Sequence, residues 1–422
     1  MQDMAEVTQA DPVAHNLSRR NILKFAGAGV AATSLAATSF TASGAAWAQV
    51  PEEAKTEPLD IVRKGIDKAF EVFNIDILEE QAKKVYSEGT YVFVANGAGR
   101  QWTLQENQRA WDDYVLTPNR MNGIVRDKID LSVTLLGEKL PHPIIVTPFG
   151  SHGLHHPAAE LATARGVAKS GGLLCVSSAS TASMEDIAKA SQGPKWFQVY
   201  LDVDEGFSRE VLQRAKAAGF KAIILTVDSI GQGSSDEYER RGKPRPWLPY
   251  GNFPLGRQTR FKTDLSWGDV DMIRKVTGLP VVVKGLTRPE DARAAIAAGA
   301  GAVQVSNHGG RALDGTPASI TVLAPIADEV KGEVPIIMDI GIRRGTDVVK
   351  ALARGADAVA IGRPLMYGLT LGGASGVDSV IKYFHTETVD TVLHCGVDKI
   401  AAHGNAHIRQ VRSGEDRRGD RL

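Results

Sequence analysis

Eight short apolar runs recur along the chain and constrain its fold more than any other feature. Most are followed by an Ala-rich stretch with helical spacing, such as 290–298 and 346–353. Apolar strands that alternate with helices indicate a parallel sheet covered by helices. The runs lie at 143–148, 173–178, 195–200, 222–228, 280–285, 302–307, 335–340 and 358–362.

Eight such units match the size of an α/β (β/α)8 TIM barrel, so we predict this fold. An N-terminal helical segment precedes the barrel, and a long loop follows its fourth strand at 229–279. The competing architecture is a doubly wound open sheet. That fold usually has fewer units and a Gly-x-Gly-x-x-Gly turn after its first strand, and no such turn is present in the sequence.

The composition excludes several classes of protein. The 422 residues include 49 Lys and Arg against 49 Asp and Glu, a balance that argues against a nucleic-acid partner. The two cysteines, Cys175 and Cys395, are too few for a disulfide framework, and the sequence has no Cys-x-x-Cys-His haem motif. We expect both thiols to be buried and free. No segment of the sequence is a near-continuous apolar run of about 20 residues, the length that a membrane span needs.

The N-terminus is predicted to be a targeting segment. Arg19 and Arg20 precede a weakly apolar run that extends to Ala45, and Ala46-Trp47-Ala48 form a cleavage pattern. This order is typical of a twin-arginine signal peptide and predicts a periplasmic location, with a disordered basic N-terminus as the alternative. The predicted parts are a signal peptide at 1–48, a catalytic domain at 49–402 and a flexible C-terminal tail at 403–422.

Polar side chains stand at or just after the carboxyl ends of the predicted strands. In a barrel these ends meet at one mouth, where catalytic groups from different strands converge. The sequence therefore predicts a site at this mouth. Its residues are Ser177, Gln198, Tyr200, Thr226, Asp228, Lys284, Ser306, Asn307, His308, Asp339 and Arg363.

The last two units carry a phosphate signature. Gly341-Ile342-Arg343-Arg344-Gly345 follows the seventh run, and Gly362-Arg363-Pro364 follows the eighth. Glycines let backbone N–H groups approach an anion, a helix N-terminus contributes its dipole, and arginine donates two parallel hydrogen bonds. Because the loops after strands seven and eight are the usual phosphate site of this barrel, the two motifs together favour a phosphate ligand.

The early part of the connection 229–279 lacks helical periodicity. A loop of this length at a barrel mouth is an active-site lid or a disordered segment, and a solvated run of charges fits the sequence equally well. Its arginines and aromatic residues include Tyr238, Arg240, Arg241, Arg245, Trp247, Arg257 and Arg260.

The run from Ser306 to Gly315, SNHGGRALDG, closely resembles the signature of the FMN-dependent 2-hydroxy acid oxidases and dehydrogenases. This family includes glycolate oxidase, lactate oxidase and mandelate dehydrogenase. The resemblance extends from about residue 70 to about residue 400. It includes Gln101-Trp102-Thr103-Leu104, Val283-Lys284-Gly285 and the segment 343–348 (RRGTDV).

The resemblance implies FMN as cofactor and a role for each motif residue. His308 would take a proton from the substrate, Asp228 would hydrogen-bond His308, and Lys284 would stabilise the anionic reduced flavin. Tyr200 would bond the substrate oxygen, and Arg311 would bind the substrate carboxylate. The remaining implied FMN contacts are Pro148, Ser177, Gln198, Thr226, Ser306, Asp339, Gly341, Arg343, Gly362 and Arg363.

Four positions depart from the family pattern. Phe93 and Ser235 stand where relatives usually have a tyrosine and an arginine that bind the substrate carboxylate. We hypothesise that Arg240, Arg241 or another lid arginine replaces them. Ala179 replaces a usual aromatic residue, which predicts a wider site, and Ile340 replaces a usual glycine in the phosphate loop.

Three functions follow as alternatives. The first is oxidation of a lactate-like (S)-2-hydroxy acid to the 2-oxo acid, with oxygen, a quinone or a separate cytochrome as electron acceptor. The second is the same flavin chemistry on another activated alcohol or an amine-bearing carbon. The third is a non-catalytic flavin-binding redox protein. The presence together of His308, Lys284, Asp228 and Arg311 argues against it.

The resemblance also implies a homotetramer. His152, His155 and His156 are expected to be structural, so no metal site is predicted.

Overall fold

The computed structural model describes residues 65–231, 233–241, 248–257, 259–399 and 408–410. Within them eight parallel strands close into a barrel, which confirms the predicted fold. The strands match the eight predicted runs, and the fourth and the sixth each end two residues earlier than predicted. In chain order they are Ile144–Phe149, Leu174–Ser177, Lys195–Val199, Ile223–Thr226, Val281–Leu286, Ala302–Val305, Ile336–Asp339 and Ala358–Ile361.

Parallel pairing brings the carboxyl ends of the strands to one mouth. Thr226 at the end of the fourth strand pairs with Lys284 of the fifth. Ile361 of the eighth strand pairs with Val146 of the first, which closes the ring. The strands are buried because helices cover the barrel from outside, as the near-continuous apolar runs require.

Helices flank the barrel strands, and three of them precede the first strand, as the predicted N-terminal helical segment requires. The first is capped by Asn74, whose side chain accepts a hydrogen bond from the backbone N–H of Ile77. The helices are α1 (Ile75–Lys83), α2 (Glu88–Ala95), α3 (Trp102–Arg109), α4 (Ala159–Lys169), α5 (Met184–Ala190), α6 (Glu205–Ala217), α7 (Asp236–Arg241), α8 (Trp267–Thr277), α9 (Pro289–Ala297), α10 (Ser319–Val330), α11 (Gly345–Ala353) and α12 (Arg363–Cys395).

An antiparallel hairpin that the sequence analysis did not predict packs on the barrel interior. Its strands are Val133–Leu135 and Glu138–Leu140. Leu135 and Leu140 are buried in one cluster with inward-facing strand residues such as Cys175 and Trp196. Cys175 and Cys395 are both buried and unpaired, as expected.

The long connection is more ordered than its sequence indicated. Its early part contains the short helix α7, so the absence of helix predicted there is wrong for Asp236–Arg241. The helix begins where the Ser235 hydroxyl accepts a hydrogen bond from the backbone N–H of Tyr238. Arg245 and Trp247 of the predicted lid lie outside the described residues.

The two ends of the chain are described only in part. The predicted signal peptide at 1–48 lies outside the described residues. Within the predicted C-terminal tail, Ile408–Gln410 forms a strand that pairs antiparallel with Tyr114–Leu116. In the described part of the chain, no helix combines the length and the apolar character that crossing a membrane requires.

Candidate active site

The barrel mouth collects the side chains that the sequence analysis placed there. Ser177, Thr226 and Asp339 are the last residues of the second, fourth and seventh strands. Gln198 and Lys284 lie within the third and fifth strands, and Pro148 lies near the end of the first. Tyr200 and Ser306 follow strand ends directly, while Asp228 and His308 lie in the loops just beyond the fourth and sixth strands.

His308 and Asp228 form a hydrogen-bonded pair at the mouth. The Nδ1 atom of His308 lies 2.7 Å from Oδ1 of Asp228. A carboxylate only accepts hydrogen bonds, so Nδ1 carries the hydrogen and Nε2 keeps a lone pair that can take a proton. The backbone at His308 has a φ of 59°, a conformation that a non-glycine residue rarely adopts outside functional sites.

Opposing forces act on the carboxyl of Asp228. Burial favours its neutral form, but its interactions with His308, including the hydrogen bond, and with the ammonium of Lys284 outweigh burial and lower the pKa of Asp228 below its usual value. The carboxylate is therefore ionised at neutral pH and holds the imidazole of His308 in one orientation. Gly285, with a φ of 115°, allows this approach, because a Cβ atom there would lie 2.6 Å from Cγ of Asp228.

Lys284 places a buried cation at the centre of the mouth. Its Nζ donates to Oγ of Ser306 at 2.9 Å and lies 3.6 Å from Oδ2 of Asp339. The same carboxylate oxygen accepts hydrogen bonds from Thr147 and Gln304. Asp339 is thus part of a polar network inside the barrel, and Thr147 and Gln304 are members that the sequence analysis missed.

The inner wall of the mouth offers polar atoms that suit a flavin ring. Ser177 donates to Oε1 of Gln198 at 2.9 Å, which fixes the side-chain amide of Gln198. The Nε2 group of Gln198 is buried and has no hydrogen-bond partner among the described residues. An unpaired buried donor at the same barrel mouth as a buried ammonium group fits a planar ligand with carbonyl oxygens, such as the flavin ring of FMN. Ser177, Gln198, Thr226 and Lys284 would hold that ring.

The predicted phosphate residues lie at the starts of α11 and α12. Gly362 precedes α12 and Arg363 is its first residue, while Arg343 lies just before α11. Gly341 has a φ of 78°, and a Cβ atom there would lie 1.9 Å from the carbonyl oxygen of Asn107. Two guanidinium groups beside two helix N-termini are a donor set that suits the phosphate of FMN.

The two proposed substrate contacts differ in their surroundings. Burial raises the pKa of the Tyr200 hydroxyl, and the nearby charge of Asp228 raises it further, so Tyr200 is a neutral hydrogen-bond donor at physiological pH. The guanidinium of Arg311 donates to the carbonyl oxygens of Phe93 and Asn96, at 2.7 Å and 3.0 Å. It also lies over the ring of Phe93, 5.1 Å from the ring centroid.

The departures from the family pattern have structural consequences. The hydroxyl of Ser235 is buried and bonds to the backbone of Tyr238 and to the amide of Asn96. Arg240 and Arg241, which we hypothesised as replacements, are paired instead with Glu237 and Glu88. Arg240 and Glu88 are largely exposed, so these are surface ion pairs of small energy, and the replacement stays a hypothesis.

Two further departures lie beside the mouth. The backbone carbonyl of Ala179 accepts a hydrogen bond from Ser151, and its methyl group packs close to Gly150. Ile340 has a φ of 88°, so a β-branched side chain occupies a conformation that glycine adopts without strain.

Asn107 supports the site, although the sequence analysis did not identify it. Its amide exchanges two hydrogen bonds with the amide of Asn307, the residue before His308, at 3.0 Å and 2.7 Å. Asn307 also accepts from the backbone N–H of Gly310. Helix α3 therefore holds the turn that carries His308. The only sequence signal was the position of Asn107 close to the Gln101-Trp102-Thr103-Leu104 motif.

The three clustered histidines each have their own partner. His152 bonds Thr163, His155 bonds Tyr86, and His156 bonds the carbonyl of Ile66. Burial lowers the pKa of all three, so each is neutral at physiological pH. Among the described residues, no group of three or more His, Cys, Asp or Glu side chains is arranged to hold a metal ion.

Known proteins resemble this chain over most of its length. L-lactate oxidase from Lentilactobacillus hilgardii is 40% identical over 364 residues, which cover 82% of this chain and 96% of the relative. Glycolate oxidase 3 from rice, Oryza sativa, is 36% identical over 355 residues, covering 80% of this chain and 96% of the relative.

Solved structures agree with this likeness. A lactate oxidase from Pediococcus acidilactici superposes with a TM-score of 0.79 at 40% identity, covering 82% of this chain and 97% of that chain. A mandelate oxidase variant with 2-hydroxy-phenylacetamide gives a TM-score of 0.76 at 34% identity. The match covers 81% of this chain and 99% of that chain. The family model for FMN-dependent dehydrogenases matches residues 82–410. With this match and the residues at its barrel mouth, the chain belongs to the FMN-dependent dehydrogenase family.

Proposed function

We propose that a small, lactate-like (S)-2-hydroxy acid is the substrate of this FMN-dependent 2-hydroxy acid oxidase. The observation that carries the proposal is the His308–Asp228 pair, which holds an imidazole with a free Nε2 at the mouth of the barrel. Arg311 lies three residues beyond His308 on the same loop and supplies a cation for the substrate carboxylate.

Each side chain has a distinct task in the proposed reaction. His308 takes the hydroxyl proton at Nε2, and the ionised Asp228 stabilises the imidazolium that results. Tyr200 donates a hydrogen bond to the substrate oxygen. Lys284 is fixed by Ser306 and Asp339 and stabilises negative charge that develops beside it. FMN, when bound, supplies the acceptor for the α-hydrogen and the two electrons of the substrate.

A second substrate class, α-hydroxy compounds without a carboxylate, is favoured by the surroundings of Arg311. Its guanidinium is held by backbone carbonyls, and Phe93 presents a ring without a hydroxyl group. Ser235 directs its hydroxyl to the backbone of α7 and to Asn96. A charged hydrogen bond contributes about 1.5–3 kcal/mol to binding. A site with fewer such bonds therefore prefers a carboxylate over an uncharged group less strongly.

Anaerobic bleaching of the oxidised flavin band tests the proposal. The purified enzyme is mixed with L-lactate, glycolate and mandelate, and with the amide of each acid as a matched uncharged substrate. We expect an acid to bleach the flavin faster than its own amide, because only the acid can pair with Arg311. Faster bleaching by the amides would favour the second substrate class, and no bleaching by any compound would contradict both.

We further propose oxygen as the electron acceptor and a homotetramer as the assembly. The oxygen proposal is supported by the relatives named lactate oxidase and glycolate oxidase, whereas the homotetramer rests on the family resemblance of the sequence alone. Admitting air to the bleached enzyme should restore the oxidised flavin band and produce hydrogen peroxide. If the band returns only with a quinone or a cytochrome, the protein is a dehydrogenase. Light scattering of the purified protein measures the assembly.

We also propose that the protein is exported to the periplasm as a folded flavoprotein. The support is the sequence alone, in which Arg19 and Arg20 precede an apolar run and the Ala46-Trp47-Ala48 pattern. Replacing both arginines with lysine should leave the protein and its flavin in the cytoplasmic fraction. Unchanged export of the variant would contradict the proposal.

A further inference from the structure

A carboxylate lies among the arginines assigned to the FMN phosphate. Oε2 of Glu79, on α1, is 3.2 Å from Nη1 of Arg343. Its other oxygen accepts a hydrogen bond from the hydroxyl of Tyr91 at 3.3 Å. The two charged side chains are only 22% and 17% exposed, so water screens their attraction weakly.

The second phosphate arginine belongs to the same charge cluster. Burial lowers the pKa of Arg363; the positive charge of Arg343 also lowers it, while the negative charge of Glu79 raises it. Burial raises the pKa of Tyr367, on the first turns of α12, and the charge of Glu79 raises it further. Glu79 is therefore close enough to act on both arginines and on the start of α12.

The charge of Glu79 should have opposite effects in the two states of the protein. It stabilises the arginines when FMN is absent and opposes the phosphate when FMN is bound. Arg343 and Arg363 repel each other, and Glu79 offsets one of their two charges. A phosphate monoester at pH 7 carries between about 1.5 and 2 negative charges and neutralises both arginines without help. Glu79 is then a surplus anion that repels the phosphate.

We propose that Glu79 is the counter-ion of the phosphate arginines in the cofactor-free protein, so that FMN binds against its charge. In the empty protein Glu79 holds α1 to the loop before α11 and reduces the repulsion between Arg343 and Arg363. The same charge lowers the affinity for FMN. A purely structural role, in which Glu79 only anchors α1, predicts instead that losing the charge weakens both the fold and FMN binding.

The test replaces Glu79 with glutamine, which keeps the shape and loses the charge. Glu80→Gln is the matched control, because Glu80 is exposed on the same helix. Each full-length protein is stripped of FMN, and its melting temperature is measured in phosphate-free buffer. FMN and riboflavin, which lacks the phosphate, are then titrated by quenching of flavin fluorescence.

We expect Glu79→Gln to melt at a lower temperature without FMN and to bind FMN at least about threefold more tightly, a gain of about 0.65 kcal/mol. Its affinity for riboflavin should match that of the wild type, and Glu80→Gln should behave as the wild type throughout. Unchanged or weaker FMN binding by Glu79→Gln would overturn the proposal, as would an equal change for riboflavin.

If the stripped Glu79→Gln protein does not stay folded, refolding replaces the titration. Recovery of native protein should then require FMN, and riboflavin should not substitute for it. Equal recovery with both flavins, or with neither, would overturn the proposal. The flavin spectrum of the purified wild type is a separate readout of the proposed function, so failure of one is distinguishable from failure of the other.

Discussion

Asp228 accepts a 2.7 Å hydrogen bond from Nδ1 of His308, and the positive charge of Lys284, on the neighbouring strand, acts on the same carboxylate. The three residues come from the ends of the fourth, fifth and sixth strands. The site thus brings together His308 as proton acceptor, Asp228 as the anion that orients it, and Lys284 as the cation that stabilises developing negative charge. The site therefore depends on barrel closure, which brings these strand ends together.

Asp228→Asn is expected to lower the rate of flavin reduction while leaving FMN bound. The amide keeps the shape of the carboxylate but removes the charge that fixes the tautomer of His308 and stabilises its protonated form. The expected loss is about 100-fold to 10 000-fold, the range for a positioned acid–base group. Stopped-flow absorbance under anaerobic conditions measures the rate. A loss of less than fivefold would show that Asp228 is not coupled to proton transfer.

The stability contribution of Asp228 should depend on pH with a defined sign. Its pKa is lowered in the folded protein, relative to about 3.9 for an unfolded chain. The stability that Asp228 contributes is therefore complete above about pH 5. It is lost as the pH falls through the lowered pKa of Asp228 in the folded protein. We expect the difference in unfolding free energy between wild type and Asp228→Asn to be constant above about pH 5 and to shrink below about pH 4. A difference that grows on acidification would contradict the assigned shift.

Gly285→Ala is expected to disrupt the His308–Asp228 pair. A Cβ atom at Gly285 would lie 2.6 Å from Cγ of Asp228, and the backbone there has a φ of 115°. Gly219→Ala is the control, because Gly219 has a φ of 90° with nothing within 4 Å of the added atom. Both variants should lose about 1 kcal/mol of stability from backbone strain. Only Gly285→Ala should also reduce the rate of flavin reduction, by at least about tenfold.

Ile340→Gly is expected to stabilise the protein. Ile340 has a φ of 88°, and its side chain is not among those packed on the core. Relief of the backbone strain stabilises the folded protein by about 1–3 kcal/mol. The greater freedom of glycine in the unfolded chain offsets about 0.5–1 kcal/mol of this gain. Urea unfolding of the holoenzyme should show a net gain of about 1 kcal/mol. A loss of stability would show that contacts of the isoleucine side chain outweigh the strain.

The barrel and its mouth were predictable because they rest on local patterns. Apolar runs separated by helical stretches specify parallel strands, and the polar residues that end them must converge once the barrel closes. Lys284 and Asp339 were placed at the mouth in this way, although their separation of 3.6 Å required the structure.

The parts that escaped prediction depend on contacts between distant segments. Glu79 and Arg343 are 264 residues apart, and Asn107 and Asn307 are 200 apart. Neither Glu79 nor Asn107 differs in its local sequence from an ordinary helical surface residue. Helix α7 is only six residues long and follows the buried Ser235. Because the helix is too short to show a helical period, the sequence pattern did not predict it.

The central claim is that His308 removes the substrate proton while FMN is bound at the barrel mouth. The most direct measurement compares the anaerobic reduction of FMN by L-lactate, or by the best acid of the panel, in the wild type and in His308→Asn. We expect both proteins to carry the same oxidised flavin spectrum, and the variant to be reduced at least about 100-fold more slowly. Reduction of the variant at the wild-type rate would contradict the claim.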